Sequence, residues 1–316
     1  MTNHQVNKIV FFGTSAFSSK VLKHLIESNA PICSIVTQPD KPVKRSKIPV
    51  PPPVKAFALE HCPDILILQP EKASDRSFIE KINGLNPDLF IVVAYGQILK
   101  KDLLDVPRLG PINIHASLLP RYRGAAPIQR AIMDGEQKTG ITIMKMNEKM
   151  DAGEIILKKE CSIGLDDTFV DVENKLIDIS CELITQVLSD YNQEKYLSVP
   201  QNHSMATFAP KIDLKECQIN WDEEALDIHN KIRALSPKPG AWSFVKIDEE
   251  IFRIKIIASK VVSNSAAPGV VIQKNPLIVG CKNQGILIQK VQPEGRKIMD
   301  SKSWVNGINK KSFTFT

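Results

Sequence analysis

Gly110-Pro-Ile-Asn-Ile-His-Ala-Ser-Leu-Leu-Pro-Arg-Tyr-Arg-Gly-Ala-Ala-Pro127 runs an apolar strand pattern straight into two polar residues of equal parity, Asn113 and His115. Alternate residues of a strand face the same side of its sheet, so these two side chains share one face. An amide donor beside an imidazole can polarise a carbonyl and move a proton in acyl transfer. Pro120 fixes its own φ and keeps Leu119 out of the helical region, so Ser117-Leu-Leu-Pro120 reads as a shaped loop and not as a helix start. Chemistry at the end of a strand suits an open α/β sheet, where ligands lie beyond the carboxyl ends of the strands.

The flanking sequence supports that architecture. Apolar runs predict strands at Lys8–Phe12, Ile32–Val36, Ile65–Leu68, Leu89–Ala94 and Ile112–His115. Helical spacing predicts helices at Ala16–Ser28, Asp75–Asn83 and Gln97–Leu104. Such alternation predicts an α/β fold, a Rossmann-like doubly wound parallel sheet with helices on both faces. Gly13 begins no Gly-x-Gly-x-x-Gly run, so a dinucleotide site is not indicated. A long helix is expected over Asp167–Asp190, with Val172, Leu176, Ile179, Leu183 and Val187 on one face. Residues 192–209 are polar and carry Pro200, which reads as a linker. Beyond it, a helix at Glu223–Leu235 stops before Pro237. Five short strands follow: Trp242–Ile247, Phe252–Ala258, Gly269–Gln273, Leu277–Val279 and Ile286–Val291. They are compatible with a small oligonucleotide-binding (OB)-like β-barrel. The expected division is 1–191, 192–209 and 210–316.

With 316 residues, 43% hydrophobic and 24% charged, the chain can bury two ordinary cores. Its apolar runs are too short to span a bilayer, and the first residues show no basic-then-apolar leader, so a cytoplasmic protein with no membrane partner is expected. Six cysteines are scattered without a Cys-x-x-Cys pair, and the histidines show no ligand spacing, so no metal is expected. A net charge of +6 permits nucleic-acid binding without requiring it. Nothing demands a second chain, and a monomer is expected.

The segment from Asn113 to Pro120 resembles the 10-formyltetrahydrofolate-dependent formyltransferases, whose fingerprint Asn-x-His-x-Ser-Leu-Leu-Pro is followed by an Asp-x-Gly turn. Here that turn is Asp151-Ala152-Gly153. Phe11-Phe12-Gly13-Thr14, Thr37-Gln38-Pro39-Asp40, Val93-Ala94-Tyr95-Gly96, Arg123-Gly124-Ala125-Ala126-Pro127-Ile128 and Thr139-Gly140-Ile141-Thr142-Ile143-Met144 are similar to the branch acting on methionyl-tRNA, in the same order. The likeness is strong up to about Cys161 and looser beyond. One departure is Ala116, where close relatives often carry Gly; an alanine costs only backbone freedom there.

The resemblance implies a catalytic domain over 1–191 and an OB-like tRNA-binding domain over 210–316. It implies formyl transfer from 10-formyltetrahydrofolate, as co-substrate, to the α-amine of methionyl-initiator tRNA. By the same carry-over Asn113, His115 and Asp151 are the catalytic residues. Taken alone, Asn113 and His115 could be satisfied polar groups at a strand end, and Asp-Ala-Gly an ordinary turn. Ser117, Leu118, Leu119 and Pro120, with Ala94, Tyr95 and Gly96, are implied to bind the folate. The loop from Asp40 to Lys55 is basic and proline-stiffened, with no acid before Glu60. The resemblance implies that this loop grips the tRNA acceptor arm through Arg45, with Lys41, Lys44 and Lys47; taken alone, it reads equally as a solvated charged loop. Arg121 and Arg123 could meet the terminal phosphates or ribose of that tRNA, or only cap and pair with neighbouring groups. The basic residues scattered from Lys211 to Lys260 read either as an RNA face or as a mixed solvated surface. A 10-formyltetrahydrofolate hydrolase or a sugar-amine formyltransferase shares the Asn-x-His fingerprint; the basic loop favours tRNA over both. A non-catalytic RNA-binding module would not need the three polar residues.

Overall fold

A computed structural model describes residues 5–42, 48–308 and 312–316. Its first fifteen elements follow in chain order: β1 (Ile9–Gly13), α1 (Ala16–Glu27), β2 (Ile32–Val36), β3 (Lys41–Pro42), β4 (Pro49–Val50), α2 (Pro53–His61), β5 (Leu66–Leu68), α3 (Arg76–Gly84), β6 (Leu89–Val93), α4 (Lys101–Leu104), β7 (Pro111–His115), α5 (Pro127–Met133), β8 (Lys138–Lys145), β9 (Ile155–Ser162) and α6 (Phe169–Asn192). Seven strands form one sheet in the order β5-β2-β1-β6-β7-β8-β9. β5, β2, β1, β6 and β7 are parallel, and β8 pairs antiparallel with β7. Every residue of β1 and β6 is buried, as parallel strands covered on both faces require. Phe12 packs against Phe90 and Tyr95, with ring centroids 4.9 and 5.3 Å apart. The chain winds outward from β1 to β5 and then returns to β6, so the strand order reverses between β1 and β6. Ligand crevices of doubly wound sheets open at that point.

Several elements differ from the sequence expectation. The helix expected from Gln97 starts only at Lys101, because the Gln97 side chain accepts from Ala73 N at 2.7 Å and ties down the preceding loop. The proline-rich loop ends in α2, with Pro53 at a first-turn position where its missing N–H costs nothing. α5 starts on Pro127 in the same way. β8 and β9 were not anticipated; β9 is an edge strand whose Lys158, Lys159 and Glu160 are exposed, so no apolar alternation marks it.

The second unit contains α7 (Ala225–Leu235), β10 (Ala241–Ile247), β11 (Glu250–Val262), β12 (Val271–Lys274), β13 (Leu277–Gly280), β14 (Gly285–Pro293), β15 (Met299–Asp300), α8 (Ser301–Gly307) and β16 (Phe313–Phe315). The strands run in the order β12-β13-β14-β11-β10-β16, with β15 on β14. All the pairings are antiparallel. Phe315 N donates to Gly269 O at 2.9 Å, so β16 meets the lead-in to β12 and the sheet nearly closes into a barrel. Closure hides sheet edges. The expected OB-like architecture is present, enlarged by α8 and by β15 and β16. Trp221, Ile256, Ile288, Trp304 and Phe315 belong to its core.

Contacts divide the chain into residues 1–124, 140–161 and 173–208 on one side and 125–139, 162–172 and 209–316 on the other. Residues 192–208 therefore pack with the first unit, where Val199 bridges to Ile155 and Thr207 O accepts from Arg123 N at 2.9 Å. In the second unit Arg233 is buried and donates to the carbonyls of Gly164 and Asp167 at 3.1 and 2.8 Å, so it is no part of an RNA-facing surface. The six cysteines are free. Burial pushes the thiols of Cys181 and Cys281 up to about 11 and about 12, so both stay protonated at neutral pH and are poor nucleophiles. No described helix is long and apolar enough to cross a membrane, and no metal-ligand cluster occurs among the described residues.

Candidate active site

β7 delivers Asn113 and His115 to one face at the carboxyl end of the sheet, beside the Asp151 turn that links β8 to β9. Asn113 Nδ2 lies 3.4 Å from Asp151 Oδ1. His115 Nδ1 lies 3.6 Å from Asp151 Oδ2, an ion-pair distance when the ring is protonated and too long for a direct hydrogen bond. Gly124 N donates to the same Oδ2 at 2.8 Å. The three residues read from the sequence are therefore brought together, with His115 buried and Asn113 and Asp151 partly open.

The imidazole is oriented by a group that motif reading could not supply. His115 Nε2 is 2.9 Å from the Tyr122 carbonyl, which can only accept, so Nε2 carries the hydrogen. Tyr122 has φ +59, a left-handed conformation uncommon outside glycine, and its N–H is held by Thr207 Oγ1 at 2.9 Å. With Nε2 occupied, Nδ1 is the position left to take up a proton, and that proton would sit against the Asp151 carboxylate.

The loop after β7 is shaped by its own polar groups. Ser117 is fully buried and donates from Oγ to Arg121 O at 2.6 Å. Thr142 Oγ1 donates to Ser117 O at 2.7 Å and accepts from Leu119 N at 3.1 Å. Leu119 is buried, the Leu119–Pro120 bond is cis, and Leu118 and Pro120 are half-buried. Ser117 is turned inward, with its hydroxyl on Arg121 and its carbonyl on Thr142, so it shapes the loop. The same holds at the end of β6. Tyr95 is turned into the core, while Ala94 (φ +43) and Gly96 (φ +90) are exposed on either side of it. Thr14 Oγ1 and Gln38 Nε2 donate to Tyr95 O at 2.7 and 3.3 Å and hold that turn. Burial raises the Tyr95 phenol above its ordinary range, so it stays neutral.

The cationic residues separate. Lys41 is exposed on β3, and Arg121 is exposed with its guanidinium 5.2 Å from the Tyr122 ring centroid. Arg123 is buried instead, donating to Gln201 Oε1 from Nε at 3.2 Å and from Nη2 at 2.6 Å. In this structure its guanidinium is committed to Gln201 and braces the site. Lys44, Arg45 and Lys47 lie outside the described residues. Lys55 closes the base of that loop onto Asp40 and Gln69, at 2.7 Å each. Gln69 Nε2 donates to Asp40 Oδ1 at 2.7 Å, and this bond first and the one from Lys55 second hold the Asp40 carboxyl below its usual range.

A carboxamide, an imidazole and a carboxylate meet beyond the carboxyl end of β7, next to β6 of a doubly wound sheet, an arrangement that suits group transfer. Comparison with known proteins gives the class. The family described as formyl transferase matches residues 7–188, and the formyl transferase C-terminal domain matches residues 211–309. The chain belongs to the formyl transferase family. Curated relatives named methionyl-tRNA formyltransferase include one from Protochlamydia amoebophila, 40% identical over 98% of this chain and 97% of its own length. Another, from Thermodesulfovibrio yellowstonii, is 44% identical over 95% of each chain. Among solved structures, WlaRD, a sugar 3N-formyl transferase crystallised with dTDP and 5-N-formyl-THF, has a TM-score of 0.66 at 20% identity over 93% of this chain and all of that one. HypX from Aquifex aeolicus in complex with tetrahydrofolic acid also gives 0.66, at 15% identity over 97% of this chain and 48% of that one. At such identities the likeness is one of fold.

Proposed function

We propose that the chain transfers the formyl group of 10-formyltetrahydrofolate to the α-amine of methionyl-initiator tRNA. The observation that carries this reading is the meeting of Asn113 and His115 with Asp151, at 3.4 and 3.6 Å, beyond the end of β7. The full-length likeness to methionyl-tRNA formyltransferases supplies the acceptor. The folate supplies an activated formyl carbon. The amine nitrogen bonds to that carbon, the carbon's bond to the folate nitrogen breaks, and the proton lost by the amine is returned to the folate nitrogen. Asn113 donates to the oxygen on which negative charge builds. His115 takes the amine proton at Nδ1, where Asp151 stabilises the resulting imidazolium. We assign the folate to the exposed turn at Ala94 and Gly96 and to the loop from Ser117 to Pro120, whose buried Ser117 and Leu119 set its shape. We assign the catalytic domain to 1–191 and the tRNA-binding domain to 210–316, acting as a cytoplasmic monomer.

The test is incubation with labelled 10-formyltetrahydrofolate and, in parallel, charged initiator tRNA, charged elongator tRNA, a nucleotide-linked amino sugar or no acceptor. Label is expected on the initiator tRNA alone. Label on the sugar, or formate released without an acceptor, would replace the proposed acceptor. Arg45→Ala is expected to weaken productive tRNA engagement by about tenfold or more, the value of a charged hydrogen bond. Folate affinity should not change. Steady-state titration of each substrate checks this, and a parallel loss of folate affinity would remove Arg45 from the tRNA contact.

A further inference from the structure

Asp151 has φ +50, a left-handed conformation that non-glycine residues hold only where the surroundings over-determine it. One side chain spans the carbonyls of this turn. Gln201 is 6% exposed, and its Nε2 donates to the carbonyls of Asp151 and Gly153 at 3.0 and 2.7 Å, spanning the turn. Its Oε1 accepts from the Arg123 guanidinium at 3.2 and 2.6 Å. Carbonyls only accept and a guanidinium only donates, so the amide can be placed in one orientation. Arg123 directly precedes Gly124, whose N–H holds the Asp151 carboxylate at 2.8 Å. A closed ring results: Asp151 backbone, Gln201 amide, Arg123 side chain, Gly124 amide, Asp151 carboxylate.

We infer that Gln201 is a positioning residue for Asp151, setting the carboxylate that faces His115 through the backbone of its turn. This rests on the reading of Asp151 as part of the site. Glutamate tests it with the same shape, because Gln201→Glu sets a carboxylate oxygen against two carbonyl oxygens and removes the clamp. We expect kcat to fall by about 10²-fold, the cost of displacing a catalytic group by roughly 1 Å, with KM for tRNA and folate unchanged. In an Asp151→Asn background, single-turnover rates at high enzyme concentration should show no further loss from Gln201→Glu, since coupled positions are not additive. If Gln201→Glu gives no cooperative melt, the decision passes to Gln201→Ala, in which water can serve the carbonyls, and the same loss confined to kcat is expected. Parent-like kcat, a loss confined to KM, or a full additional loss on top of Asp151→Asn would each overturn the proposal. Full turnover by Asp151→Asn alone would instead overturn the reading of the site.

Discussion

His115→Ala is expected to lower kcat by about 10²–10⁴-fold, the range for removing a positioned acid–base group, and to leave tRNA affinity at the parent value. The ring is buried, with Nε2 committed to the Tyr122 carbonyl at 2.9 Å. Alanine therefore also strands a buried acceptor, at a cost of about 1–3 kcal/mol in stability. The kinetic measurement has to be made well below the lowered melting temperature, with the folded fraction followed by circular dichroism. Asn113→Ala offers a companion with a different signature. Losing one donor to the developing oxyanion costs about 10²–10³-fold in kcat. The Asn113 side chain is only partly buried, so its removal should cost less stability. Single-turnover rates with saturating initiator tRNA, beside equilibrium tRNA binding, decide both. Near-parent turnover of a folded His115→Ala protein would take the imidazole out of the chemistry.

The parts of this molecule legible in the sequence are those with a local signal. Ile9–Gly13 and Leu89–Val93 are unbroken apolar runs, and they form the buried centre of the parallel sheet. Parity on a strand places Asn113 and His115 on one face, whereas their role and the choice of Asp151 come from the resemblance to the formyltransferase fingerprint. The groups that orient those residues carry no such mark. The acceptor for His115 Nε2 is the backbone of Tyr122, which any residue could provide. Gln201 lies fifty positions from Asp151 and acts on main-chain carbonyls, in a stretch whose Pro200 and polarity read as a tether. Ser117 and Arg123 were visible but their direction was not. A hydroxyl or guanidinium beside a fingerprint suggests a ligand, yet both turn inward and serve the loop. Burial is a property of the packed chain, and charge alone does not foretell it.

Gly153→Ala is expected to damage the site as much as a direct substitution, by a steric route. A Cβ built on Gly153 would lie 1.8 Å from the Lys145 carbonyl oxygen and 2.8 Å from its carbon. Both are main-chain atoms, so no side chain can swing away. Lys145 N donates to Glu154 O at 2.9 Å, which fastens β8 to the same backbone and blocks local relief. The turn must move as a piece, and Gly153 O must slip from its 2.7 Å bond to Gln201. Overpacking of this kind costs about 1–3 kcal/mol in stability, and a carboxylate shifted by about 1 Å costs about 10²-fold in kcat. Gly84→Ala is the matched control, because nothing lies within 4 Å of its added methyl at the end of α3. That change should leave turnover untouched and leave the melting temperature level or slightly raised, as fewer unfolded conformations compete. Thermal melts and turnover measured on the pair separate contact from conformation. A Gly153→Ala protein that melts and turns over like its parent would mean that the Asp151 turn is not clamped between β8 and Gln201.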